Sequence, residues 1–248
     1  MTPDQRFQDL LAEAERDPNV VGLFLGGSRG KDALVTKRSD FDVRLVIREE
    51  ALAEYEERYP LRHGDPVDLV PCSITELRNW PAWDRYSFTH VRVLVDKTGG
   101  ELQRLVDEIG SAAADAAPAL DGYVNAYYRA AKNLRDGREL EGRLDAAESA
   151  PLFLEALFAL HGRVRPFNKY LPWELRVHPL GGAEWRADAL LPRLERIVAT
   201  GAIEEQQALF RDAERLARER GHGATIDGWA ADLPLLRGHV RGLTPDVP

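Results

Sequence analysis

Every strand-like run in this 248-residue chain falls before residue 97, and every later periodic run is helical. Val20–Leu25 is a continuous apolar stretch stopped by Gly26-Gly27, the pattern of a buried strand. Phe41, Val43, Leu45 and Ile47 then alternate with Asp42, Arg44 and Val46, a period of two that predicts a strand over 41–47. Third and fourth strands are expected over 66–70 and 91–96. Phe7, Leu10, Leu11 and Ala14 recur at helical spacing, so 4–16 reads as an amphipathic helix ended by Asp17-Pro18-Asn19. The acidic stretch 49–58 is also helix-forming.

After Gly110 the texture changes. The small, Ala-rich segment 111–119 contains Pro118 and is the expected boundary. Beyond it, 121–135, 145–161, 187–199 and 202–219 show helical periodicity. Gly137, Gly162, Gly181-Gly182, Gly201 and Gly221 punctuate them as helix stops. The chain is therefore expected to be α+β, with a mixed strand–helix domain over 1–110 and a helical C-terminal bundle over 119–248.

Composition narrows the function. Lys and Arg total 33 against 41 Asp and Glu, a net charge of −8, which argues against a nucleic-acid partner because phosphate neutralisation needs surplus positive charge. No apolar run approaches 18 residues, so no membrane span is expected; the best stretch, Leu152–Leu160, carries Glu155. The polar N-terminus lacks a signal-peptide core, and Cys72 is the only cysteine, which fits a reducing cytoplasm. A buried small side chain is the expected role of Cys72.

The informative motif is Gly26-Gly27-Ser28, eleven residues, then Asp40-Phe41-Asp42. It starts at the end of one strand and finishes at the start of the next. Alternation puts Asp40 and Asp42 on one face. Paired carboxylates repel, and a divalent cation bound by oxygen ligands, Mg²⁺ above all, compensates them. The glycines leave backbone N–H groups bare for a bulky anion, Ser28 adds a hydroxyl, and the residues after it are expected to start a helix whose N-terminus favours phosphate. Asp68, in the third expected strand, is placed to complete a two-metal site or to take a proton from an attacking hydroxyl. Each piece alone is an ordinary turn or edge-strand feature; their order at successive strand ends points to phosphoryl or nucleotidyl transfer.

At these residues the chain resembles the nucleotidyltransferase superfamily that includes DNA polymerase beta. Leu25-Gly26-Gly27-Ser28 and Ser39-Asp40-Phe41-Asp42-Val43, with Asp68 later, match that family's glycine–serine loop and carboxylate pattern. The resemblance covers roughly the first 100 residues. The length and helical second domain resemble the bacterial antibiotic nucleotidyltransferases, the aminoglycoside and lincosamide types. It implies a polymerase-beta-like mixed sheet and Mg²⁺-dependent transfer of NMP, usually AMP, from an NTP to a hydroxyl of a small molecule. It also implies that Gly26, Gly27 and Ser28 hold the β- and γ-phosphates, and that Asp40, Asp42 and Asp68 serve two Mg²⁺ ions and the chemistry. Two other readings stay open: an antitoxin-type enzyme that modifies a partner protein, and a relative that binds nucleotide without transfer.

Other motifs fail. Gly26 to Asp32 is one residue short of a Walker A loop and has Asp32 where a hydroxyl is required. The six histidines, His63, His90, His161, His178, His222 and His239, lack zinc-site spacing. In the second domain Arg129, Lys132 and Arg135 share a helix face at spacings of three, and Lys132 is the best candidate there for a triphosphate contact. The segment 161–174 interleaves basic and aromatic residues, with Lys169 placed to meet phosphate and the aromatics placed either to stack on a base or to plug the core. Glu148 and Glu155 are candidate general bases, and Glu155, inside an apolar run, is expected to be partnered or functional.

Overall fold

In the computed structural model, which describes residues 1–60 and 64–239, the chain divides into two units, Met1–Ala112 and the residues from Ala113 onward. His63 and the last nine residues of the expected helical domain lie outside the described residues.

The first unit opens with α1 (Pro3–Arg16), whose N-terminus is capped by Thr2 accepting from the Gln5 amide at 3.2 Å. Then come β1 (Val20–Leu25), the single-turn helix α2 (Gly27–Gly30) and β2 (Phe41–Ile47). A 3₁₀ turn at Glu49–Ala51 leads into α3 (Leu52–Arg58), followed by β3 (Val67–Ser73) and α4 (Ile74–Arg78). A 3₁₀ segment (Ala82–Phe88), β4 (Arg92–Asp96) and α5 (Glu101–Ser111) complete it.

The four strands form one mixed sheet in the order β3-β2-β1-β4. β1 is antiparallel to both β2 and β4, whereas β2 and β3 are parallel. Both faces are covered. Phe41, Val43, Leu45 and Ile47 of β2 pack with Phe7 and Leu10 of α1 and Tyr55 of α3. On the other face Phe24, Val46 and Cys72 pack with Leu77 of α4 and Leu102, Val106 and Ile109 of α5. Cys72 is buried there as expected, and burial pushes its thiol up to about 12. β3 runs past the expected end at Val70, because Pro71 lies in an edge strand, where a missing N–H breaks no ladder bond.

The second unit consists of α6 (Ala116–Arg135), α7 (Glu139–Leu160), α8 (Leu171–Val177), α9 (Ala187–Thr200), α10 (Ile203–Glu219), α11 (Gly223–Asp227) and α12 (Leu233–Arg237). Asp115 caps α6 by accepting from the Ala117 amide at 3.0 Å, so the Ala-rich boundary segment is partly helix. Its core is aromatic: Tyr123 stacks on Tyr127 at 6.2 Å and meets the edge of Phe153 at 5.2 Å. α7 starts six residues before the expected helix, and its Pro151 is absorbed within it. No described helix is long and apolar enough to cross a membrane.

Glu174 and His161 are titratable side chains drawn into the interior of this unit. Glu174, 1% exposed, pairs with Arg163, whose Nη1 also donates to the His178 carbonyl at 2.6 Å. Arg163→Met removes the buried ion pair and should cost about 3 kcal/mol in urea unfolding. Adding Glu174→Gln should return part of the loss; an equal loss in the double variant would contradict the pairing. His161 has a buried Nε2 without a hydrogen-bond partner, and burial, with Arg220 and Arg163 nearby, pushes its pKa down to about 4. The unfolded chain therefore takes up this proton first, and the contribution is present at neutral pH and lost as pH falls from about 6.5 towards 4. His161→Phe should flatten that part of the profile, measured as the urea midpoint at about pH 7 and about pH 5.

Candidate functional site

The glycine loop sits against β2. The Gly26 amide donates to the Asp42 carbonyl at 2.8 Å, which sets the loop beside the carboxylate strand. Gly27 has φ of +56°, a left-handed conformation that L side chains rarely adopt. A Cβ there would fall inside the Asp42 carboxylate, closer than real Cβ contacts occur. Gly30 is fixed differently, since a Cβ on it would overlap the Leu25 carbonyl. The Gly30 amide closes onto the Gly26 carbonyl at 2.7 Å and the Lys31 amide onto Gly27 at 3.1 Å. The expected helix after the loop is thus one turn, too short to carry a helix dipole.

Lys31 secures the loop from beneath. It is 7% exposed, its ammonium donates to the carbonyls of Tyr86, at 3.2 Å, and Thr89, and it lies over the Tyr86 ring at 4.6 Å. The segment Ala82–Phe88 is thereby held under the loop. Arg29 donates to the Ser39 carbonyl at 3.1 Å and stacks over Phe41 at 4.1 Å, tying the end of the eleven-residue spacer back to the loop. Ser28, expected to present a hydroxyl to phosphate, is 3% exposed, and the Gly26 amide, expected to be bare, is spent on the Asp42 carbonyl.

The carboxylates divide. Asp42 and Asp68 are register partners on the parallel strands β2 and β3, so they neighbour one another on the same sheet face. Asp40 precedes β2 and is exposed. Among the described residues, no group of three His, Cys, Asp or Glu side chains is close enough to hold a metal ion, so the three aspartates are not gathered into one cluster. Asp68 has a buried Oδ1 with no hydrogen-bond partner. A buried, unpaired carboxylate oxygen is costly, and a cation or a donor is what relieves it.

Two residues past Asp42, on the same face, stands Arg44, which sequence reasoning passed over. Its guanidinium lies 5.6 Å from the centre of the Trp80 ring, and its Nε is buried without a partner. The Trp80 indole is itself fixed, donating to Asp84 Oδ2 at 3.0 Å and packing on Phe88 at 5.0 Å. The alternation that marks Asp42 already places Arg44 on its face, and this was the legible signal.

The other candidates belong to the second unit. Lys132 is exposed, with its ammonium 6.0 Å from the Tyr128 ring centre. The rest of that basic face is spent locally: Arg129 pairs with Asp145 at 3.3 Å and Glu148 at 2.7 Å, and Arg135 pairs with Asp136 at 2.8 Å. Glu148 is accordingly an ion-pair partner. Lys169 is exposed and lies over the Tyr170 ring at 5.1 Å, while Tyr170 is buried. Glu155 is exposed on α7 while Leu154 and Ala156 on either side are buried, and it lies within electrostatic reach of Arg165. A cavity of about 760 Å³ in this unit is lined by Arg176, Gly181, Gly182 and Arg186 among others, and contains none of the expected site residues.

The glycine geometry can be tested without any ligand. Gly27→Ala and Gly30→Ala should each destabilise the protein by about 1–3 kcal/mol, through left-handed strain plus overlap in the first and backbone overlap in the second. Gly99→Ala, with open space around it, should cost only the conformational part, about 1 kcal/mol. Chemical denaturation of the three variants decides it, and equal losses would discount the packing against Asp42 and Leu25. No family model matches the chain, and no curated protein matches it.

Proposed function

We propose that the chain is a Mg²⁺-dependent nucleotidyltransferase with a polymerase-beta-like sheet. It moves an NMP, most often AMP, from an NTP to a hydroxyl of a small molecule, in the manner of enzymes that modify aminoglycoside-like antibiotics. One observation carries this reading. A glycine loop is bonded through its Gly26 amide to the Asp42 carbonyl, with Gly27 packed where a Cβ would meet the Asp42 carboxylate, and the register partner of Asp42 is Asp68, which holds a buried oxygen with no partner. The donor set fits the ion, because carboxylate oxygens suit Mg²⁺. Asp42 and Asp68 would hold it, with Asp40 at the mouth of β2. When bound, the ion offsets charge on the phosphates and on the departing pyrophosphate.

The chain's own residues do the rest. The Gly26 amide is spent on the Asp42 carbonyl, so the loop would meet the phosphates at Gly27, where a side chain would bar close approach. Lys31 and Arg29 hold the loop in that pose, so that little reorganisation is needed when the substrate arrives. Asp68, whose Oδ1 has no partner among the described residues, would also take the proton of the attacking hydroxyl.

The experiment is pyrophosphate release from each NTP, with Mg²⁺ and a panel of aminoglycosides. Asp42→Asn and Asp68→Asn should each lower the rate at least about 100-fold, the scale for losing one preorganised charge-stabilising group. In Asp68→Asn stability should be unchanged or raised, because the change removes one of two neighbouring like charges at a carboxylate whose Oδ1 has no partner. Full activity in both variants would end the assignment.

A further inference from the structure

We propose that Arg44 receives the phosphate chain of the nucleotide, and that Trp80 keeps it available for that role. This rests on the nucleotidyl-transfer reading for the identity of the anion. Arg44 and Asp68 carry opposite charges on neighbouring strands and one sheet face, Arg44 lying opposite Val70 and Asp68 opposite Asp42. Pairing between them would be the ordinary outcome, yet neither side chain forms a hydrogen bond or an ion pair with any described residue. Each instead leaves a buried atom unsatisfied, Nε of Arg44 and Oδ1 of Asp68. Trp80 is the physical cause on the arginine side. Its ring holds the guanidinium 5.6 Å from its centre, and the indole cannot swing because Asp84 and Phe88 fix it.

An arginine held in this way has its planar fork oriented in advance and its donors uncommitted, the condition under which a guanidinium binds phosphate well. Its position also answers an electrostatic problem. Asp42 and Asp68 together repel a polyanion, and a fixed cation one strand repeat further along lets the charged chain lie beside them. The glycine loop would take one part of the chain by its backbone, and Arg44 another by its side chain.

The test uses the full chain and inorganic tripolyphosphate, titrated calorimetrically with and without Mg²⁺. Arg44→Gln should weaken binding by about 10-fold to 100-fold, the range for losing a charge-assisted hydrogen bond, and Arg44→Lys by less. Trp80→Leu should also weaken it although Arg44 is retained, because the guanidinium is then released towards Asp68. Arg44→Lys keeps the charge and serves as the folded variant should Arg44→Gln fold poorly. Tripolyphosphate bound equally by Arg44→Gln and the unaltered chain, or not bound by the unaltered chain at millimolar concentration, would overturn the proposal. The two readings separate cleanly. Mg²⁺-dependent pyrophosphate release with an unchanged KM for ATP in Arg44→Gln removes Arg44 and leaves the transfer intact. Arg44-dependent tripolyphosphate binding without pyrophosphate release from any NTP removes the transfer and keeps Arg44 as an anion group.

Discussion

The Gly26 amide bonded to the Asp42 carbonyl is the join on which the first unit's polar end depends. It fixes where the chain leaves β1 and how near the turn lies to β2. Gly27 can then pass against the Asp42 carboxylate only because it has no Cβ. Once the loop is there, the Lys31 ammonium is carried into a buried position, and it is satisfied by two carbonyls of the segment around Ala82–Phe88. That segment carries Phe88 into the core face shared with Leu102 and Val106. One backbone hydrogen bond is thereby linked, through a lysine, to the packing of α5.

Much of this was legible in residues alone, and the reason is periodicity. β1 and β2 occupy the spans that their apolar run and their alternation indicate, because both are interior strands with a buried face to declare. β3 extends to Ser73, beyond the expected end at Val70, and only sheet order reveals that it is an edge strand, where Pro71 is tolerated. Asp42 and Asp68 are brought into register by a parallel pairing, which no local pattern encodes. Arg44 was legible by position but not by consequence, since its lack of a partner depends on Trp80, thirty-six residues away in sequence.

The second unit shows where local reading fails. A carboxylate in the middle of Leu152–Leu160 suggests a buried charge, but one residue's turn of a helix is enough to face Glu155 outward between buried neighbours. Spacing by three does align Arg129, Lys132 and Arg135, yet it says nothing of Asp145 and Glu148 on the next helix, which take up Arg129. Charge patterns along one helix predict a face; what occupies that face is decided by the neighbouring helix.

Pro71 has a consequence for the sheet's outer border. β3 pairs with β2 on one side only, and a proline in such a strand must turn its donorless nitrogen outward. The free margin of the sheet therefore has a gap in its row of N–H groups, at the position opposite Leu45 on the paired side. An extended segment from another molecule cannot lay a full ladder along it. The same residue that obscures the strand in the sequence guards the folded chain against joining its sheets edge to edge.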